Sequence, residues 1–224
     1  MTALDQKEGI KMGLNDWFNS TVMKDVCPKE CEFNNKEKRD LYSRPIVFIP
    51  PPEKPKIMLI SRDPTVNFLH LYEYAKSEEY DKKTNERRLM LFAGAIPYWL
   101  ILRIVRFSEK EDAKIDVDKL FRIFEIAYWS HLHKCPTGNG AKFSKKCAKK
   151  WLKEEIEEAV EEGVKTIVGL GRDVEYWLKK ANVKASSKVK IICLPHPSGR
   201  SRAWEDVKKK GDIKKRIKDL IDRI

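Results

Sequence analysis

The sequence predicts one α/β domain, a three-layer α/β/α sandwich around a central parallel sheet of about four strands. Three observations lead there. Short apolar, β-branched runs recur along the chain and alternate with segments of helical spacing, the pattern of parallel strands joined by right-handed crossovers. Two of those runs, Lys56–Ile60 and Val189–Leu194, stop abruptly in polar turn chemistry: Ser61-Arg62-Asp63-Pro64-Thr65 after the first, and Pro195-His196-Pro197-Ser198-Gly199-Arg200-Ser201-Arg202 after the second. Parallel strands deliver such loops to one edge of the sheet. A chain of 224 residues can also bury a full core without disulfide staples.

Residues 1–25 read as partly helical, with Ile10, Met12, Leu14, Trp17 and Phe18 as packing positions. Residues 26–56 are loop-rich and end in Pro50-Pro51-Pro52-Glu53-Lys54-Pro55, which neither a helix interior nor a central strand accommodates. Residues 1–55 are thus expected to form a helical and loop cap on a single domain spanning 1–224. Ile57–Ile60 reads as a buried strand, and 66–88 as a polar surface excursion with some helix. Pro97–Phe107 has helical character, with Trp99 and the Leu102–Arg103 pair on alternate faces. A short helix at Val117–Phe121 should precede a second strand over Phe121–His133. Ala148, Leu152, Ile156, Ala159 and Val160 keep helical spacing up to a stop at Gly163. Lys165–Leu170 is the third expected strand, Arg172–Ala181 a helix and Lys188–Leu194 the fourth strand. From Trp204 the tail is an amphipathic helix carrying Val207, Ile213, Ile217, Leu220 and Ile221, its start weakened by Gly211.

Charged residues make up 36% of the chain and the formal net charge is +12, so the surface field favours phosphate backbones or other anionic partners. The excess is concentrated. Residues 134–150 hold six lysines and no acid, and residues 200–224 hold ten basic against five acidic side chains. No apolar stretch reaches bilayer length and no signal-peptide core opens the chain. A cytoplasmic protein without membrane contact, and a monomer, is the expectation.

Five cysteines in that setting argue against a disulfide framework. Cys27 and Cys31 form a C-x3-C pair, Cys135 and Cys147 flank the lysine-rich segment, and Cys193 sits inside a strand-like run as a core thiol. The first four could hold zinc through four thiolates, or an iron–sulfur cluster.

The two loops, one offering a carboxylate and the other an imidazole followed by a Pro-Ser-Gly-Arg turn, resemble the signature motifs of the uracil-DNA glycosylase superfamily. Other segments follow in the order seen in its iron–sulfur members. Arg44-Pro-Ile-Val-Phe48 leads toward the first strand, and Leu91-Phe92-Ala93-Gly94 is similar to an F-x-G segment. His133-Lys134-Cys135-Pro136 is similar to a K-C-x-P turn, followed by Cys147 and by Val168-Gly169-Leu170-Gly171. The sequence departs from that pattern where C-x3-C replaces C-x2-C. It departs again where Ser61–Thr65 stands closer to a G-Q-D-P loop, and where His131 aligns with an asparagine that reads the uracil edge.

The resemblance implies a DNA glycosylase that flips uracil or a related damaged base and hydrolyses its N-glycosidic bond, in base-excision repair. It also implies a structural [4Fe-4S] cluster on Cys27, Cys31, Cys135 and Cys147. Asp63 would orient water and stabilise the oxocarbenium-like sugar. His196 would donate a hydrogen bond to the base as charge develops on it. Ser61, Arg62, Pro64, Phe92 and His131 would line the base pocket, with Phe92 as a stacking wall. Pro197, Ser198, Gly199, Arg200, Ser201 and Arg202 would meet DNA, with Arg200 as the wedge and Arg202 as a phosphate contact. The alternative is a non-catalytic iron–sulfur nucleic-acid binder on the same fold.

Overall fold

The computed structural model describes residues 13–22, 46–77, 84–93, 96–136, 145–181, 189–199 and 201–224. Among them, four five-residue strands form the sheet: β1 (Ile57–Ser61), β2 (Ala127–His131), β3 (Thr166–Leu170) and β4 (Lys190–Leu194). All pairings are parallel and the spatial order is β2-β1-β3-β4. The chain therefore moves outward from β1 to β2, crosses back to β3 and continues to β4. Loops diverge above the sheet between β1 and β3, the switch point where ligands of open α/β sheets bind.

Alternation along the strands creates two cores. Ile57 and Leu59 of β1, Trp129 of β2, Val168 of β3 and Ile192 of β4 face one layer, and Met58, Ile60, Tyr128 and Ile167 face the other. The first layer is covered by α2 (Val66–Ala75), α3 (Thr84–Ala93), α4 (Ile96–Lys110), the short α5 (Val117–Phe121) and α6 (Ile123–Ile126), and α9 (Lys210–Ile221). The second is covered by α1 (Leu14–Trp17) with the turn Phe18–Val22, α7 (Lys145–Glu161) and α8 (Arg172–Lys180). This is the expected three-layer α/β/α fold on a four-stranded parallel sheet.

Three segments differ from expectation. The second strand is confined to Ala127–His131, because it pairs residue for residue with the five residues of β1. The preceding stretch is helical: Asp116 caps α5 by accepting the Lys119 amide at 2.8 Å, and α6 then carries the chain into the sheet. Residues 66–88 are not merely a surface excursion. Phe68, Tyr72 and Ala75 recur at helical spacing on α2 and are buried, and the Tyr72 hydroxyl accepts the Phe48 amide at 3.1 Å. The tail begins as two 3-10 turns, Arg202–Trp204 and Val207–Lys209, before α9 opens at Lys210. Ile10 and Met12 lie outside the described residues.

Candidate active site

The carboxyl ends of β1, β2 and β4 rise to one edge of the sheet, so three separate segments meet there. A cavity of about 370 Å³ opens between them, within the ~300–1,000 Å³ typical of small-ligand sites. Pro64 and Thr65 enter from the loop after β1, Trp129 and His131 from β2, and Ser198 and Gly199 from the loop after β4. The remaining wall comes from helices: Phe68 and Leu71 of α2, and Ile96 and Trp99 of α4. The lining is mostly apolar, with few polar atoms to orient a ligand.

Strand periodicity explains why Trp129 and His131 share this wall. Their rings lie 5.0 Å apart, and Phe68 meets Trp129 edge-on at 5.3 Å. The His131 side chain is buried, and its Nε2 has no hydrogen-bond partner among the described residues. Burial above all, then the Lys134 charge and the neighbouring His133, hold its pKa well below the ordinary value. The ring is thus a neutral imidazole with one idle polar atom, in a cavity whose other walls are mostly apolar.

The opposite side of β2 carries a different chemistry. Tyr128 and Ser130 both donate to Glu155 Oε1 of α7, at 2.7 and 2.6 Å. Lys134 closes the network, pairing with Glu155 Oε2 and donating to Ser130 Oγ at 2.9 Å and to the His131 carbonyl at 2.7 Å. All four side chains are buried. Burial and the Glu155 carboxylate push the Tyr128 hydroxyl's pKa far up. Lys134 is therefore an internal clamp on the end of β2, and no part of a solvated lysine patch.

On β1, Ser61 is fully buried and its Oγ accepts a long hydrogen bond from Trp129 Nε1 at 3.5 Å. Arg62 points outward and donates to Asp63 Oδ1 at 2.6 Å, with Asp173 of α8 4.0 Å away. That bond to Asp63 raises the guanidinium pKa. Asp63 keeps its side chain one-tenth exposed. Neither Arg62 nor Asp63 borders the cavity.

His196 stands on the far side of the β4 loop, lining a second, broader groove of about 1100 Å³ that shares Ser198 with the first cavity. Its Nδ1 accepts the Ser198 amide at 3.2 Å, which leaves the ring proton on Nε2. Its carbonyl accepts Trp204 Nε1 at 3.0 Å. Burial, then the charge of Arg62, lower its pKa, while Asp63 pulls the other way. These mutual effects bring the two sequence-distant loops into one electrostatic neighbourhood. Gly171, with φ +95°, permits the approach: a Cβ there would lie 3.3 Å from His196 Cβ, in a backbone conformation that side chains rarely adopt.

The cavity thus gathers Pro64, His131, Ser198 and Gly199 of the residues expected at the site. Phe92 is not on its wall. It is fully buried behind Trp129, ring centroids 5.7 Å apart, so Trp129 and Phe68 present the aromatic faces instead. Pro197 is buried and its carbonyl accepts Arg103 Nε of α4 at 3.2 Å. The Ser201 amide donates to the Ser198 carbonyl at 3.0 Å, and Arg202 is exposed; both line the second groove. Arg200 lies outside the described residues. His133, the expected end of the second strand, falls past the observed strand end, where its Nδ1 is 2.7 Å from the Cys135 carbonyl oxygen.

Cys135 follows β2 and Cys147 opens α7; both are buried thiols outside any disulfide. Cys27 and Cys31 lie outside the described residues. Among the described residues no group of three or more His, Cys, Asp and Glu side chains is placed to hold a metal ion. Cys193 in β4 is half-buried. No single described helix is long and apolar enough to cross a membrane.

A parallel sheet with two polar loops and an aromatic-walled cavity at its carboxyl edge defines an α/β protein with a cavity of small-ligand size. The family model of the uracil DNA glycosylase superfamily matches residues 82–221, more than half of the chain, and the chain belongs to that superfamily. The match begins after Arg62–Thr65, so the first loop rests on the structure alone. No curated protein matches the sequence.

Proposed function

We propose that this protein is a DNA glycosylase that excises uracil or a related damaged base by base flipping and hydrolysis. The observation that carries the reading is the idle Nε2 of His131 in an aromatic cavity flanked by the Asp63 and His196 loops. A base in duplex DNA reaches so small a cavity at a sheet edge only by extrusion of its nucleotide. Trp129 and Phe68 supply flat apolar faces, and His131 supplies one hydrogen bond to the base edge. In the reaction a water oxygen bonds to the sugar's anomeric carbon as the carbon–nitrogen bond breaks, its electron pair leaving on the base. Asp63 faces the positive charge that develops on the sugar and receives a proton from the water. His196, holding its proton on Nε2, donates to the negative charge that develops on the base.

Cys27, Cys31, Cys135 and Cys147 are proposed to hold a [4Fe-4S] cluster of structural role, zinc being the other candidate. Buried, reduced Cys135 and Cys147 suit thiolate ligation. DNA is the partner supported by family membership and by the +12 charge.

The test is release of base from a uracil-containing oligonucleotide, read as abasic-site cleavage. Asp63→Ala and His196→Ala should each abolish it while leaving DNA binding in place. Metal-loaded protein that leaves uracil, xanthine, hypoxanthine and mismatched substrates intact would refute the enzyme. The 2.6 Å hold of Arg62 on Asp63 favours the second reading, a DNA binder whose carboxylate is already engaged. That reading predicts unchanged, salt-dependent binding in Asp63→Ala and no base release from the wild type.

A further inference from the structure

The chain has six tryptophans, and five of them, Trp17, Trp129, Trp151, Trp177 and Trp204, are 2–6% exposed. Trp99 is 51% exposed. A single exposed aromatic is ordinary, but this one also forms part of the cavity wall. Ile96 precedes it on the same wall, and Arg103, one helical turn on, ties α4 to that loop through the Pro197 carbonyl. Tyr98 meets the indole edge-on at 6.3 Å. Arg106, exposed and seven residues on, continues the same helical stripe. The indole is therefore held at the cavity mouth on a rigid helix, with guanidinium groups spaced along the face that follows.

We propose that Trp99 is a stacking platform for an unpaired nucleobase next to the one the cavity receives. The proposal rests on the glycosylase reading for the identity of the base inside the cavity, though not for the stacking itself. The occupant follows from charge and shape. A net charge of +12 repels a second copy of the chain and attracts a polyanion. An indole with arginines following along the same helix face matches what single-stranded DNA uses, bases on the ring and phosphates on the cations. Extruding one base unstacks its neighbour, and Trp99 offers that neighbour a replacement surface.

Trp99 is also its own probe, because the other five indoles are buried. Wild-type protein is titrated with a uracil-free, single-stranded thymidine oligonucleotide while tryptophan emission and acrylamide quenching are followed. The oligonucleotide should quench the solvent-exposed component and shield it from acrylamide. Trp99→Ala should lack that component and bind about 5- to 150-fold more weakly, the span that base–aromatic stacking carries. Trp99→Phe should recover most of the affinity. Base release from a uracil oligonucleotide is measured alongside. A protein that releases base yet shows no quenching at Trp99 and equal affinity in Trp99→Ala overturns the stacking site and spares the glycosylase. Quenching and weakened binding without base release sustain the stacking site and remove the glycosylase. A wild-type dimer that Trp99→Ala converts to monomer, with DNA affinity unchanged, also overturns it.

Discussion

Replacing Lys134 with methionine should be among the most damaging single changes in the protein. The ammonium is 3% exposed and its three hydrogens go to Glu155, Ser130 Oγ and the His131 carbonyl. Glu155, 1% exposed, also accepts from Tyr128 and Ser130. Methionine keeps the apolar stem but strands the carboxylate charge, and breaking a buried ion pair from one side costs about 3–5 kcal/mol. For a chain of this length each kcal/mol lowers Tm by ~2–4 °C, so a fall of roughly 6–20 °C is expected. Removing both charges in Lys134→Met/Glu155→Leu should cost much less than the sum of the single changes, because a buried pair is barely stabilising against a packed apolar pair. Urea unfolding of the four proteins in a double-mutant cycle measures this coupling. A Lys134→Met protein within about 1 kcal/mol of wild type, or additive single effects, would refute the internal clamp.

Acid should weaken the fold through His131. Its folded pKa is depressed, so the unfolded chain takes up the proton first; the stabilisation is complete above the unfolded value of ~6.5 and is lost as pH falls from there, at up to ~1.4 kcal/mol per unit. Urea midpoints between pH 7.5 and 5 report it, and His131→Asn should flatten the profile. Activity should show an acid limb below the ordinary histidine value, since protonating His196 at Nδ1 breaks its bond to the Ser198 amide; a rate that rises on acidification would contradict the neutral donor. His131→Asn should also move substrate preference toward uracil, because an amide donates and accepts in one plane; identical preference would place specificity elsewhere. Metal analysis should return iron with visible thiolate charge-transfer absorption, bleached in Cys147→Ser; stoichiometric zinc in colourless, folded protein would reverse the cofactor assignment.

The sheet was legible because parallel strands buried on both faces appear as short continuous apolar runs. Ile57–Ile60, Lys165–Leu170 and Lys188–Leu194 all lie on strands to within two residues at either end. The boundary before β2 was not, since Phe121–Ile126 has the same residue types whether helical or extended, and only pairing with β1 sets where the strand begins. The two loops were visible as turn chemistry, but the cavity wall was not. Phe68, Leu71 and Trp129 carry no motif and are set by how α2 and β2 pack. Phe92 was read as a wall because its motif could not show that Trp129 stands in front of it. Lys134 was hidden among neighbouring lysines. Glu155 left a fainter mark: it interrupts the stripe of Leu152, Ile156 and Ala159 on α7, where an acid on an apolar face needs a buried partner.

Two histidines near one site are both kept neutral, each by burial and a nearby cation. Lys134 depresses His131 from the far side of β2, and Arg62 depresses His196 from across the loops, each adding to the effect of burial. In a protein of net charge +12 the easy design would have been imidazolium at the site. A charged imidazole, however, would draw water and phosphate into an apolar cavity, and would be strongly solvated before the reaction began. A neutral N–H donor binds an uncharged base weakly and strengthens its hold as negative charge develops, which is differential stabilisation of the transition state. On the proposed glycosylase reading, an apolar cavity with neutral donors suits a planar base, and the net charge of +12 supplies the long-range field for DNA.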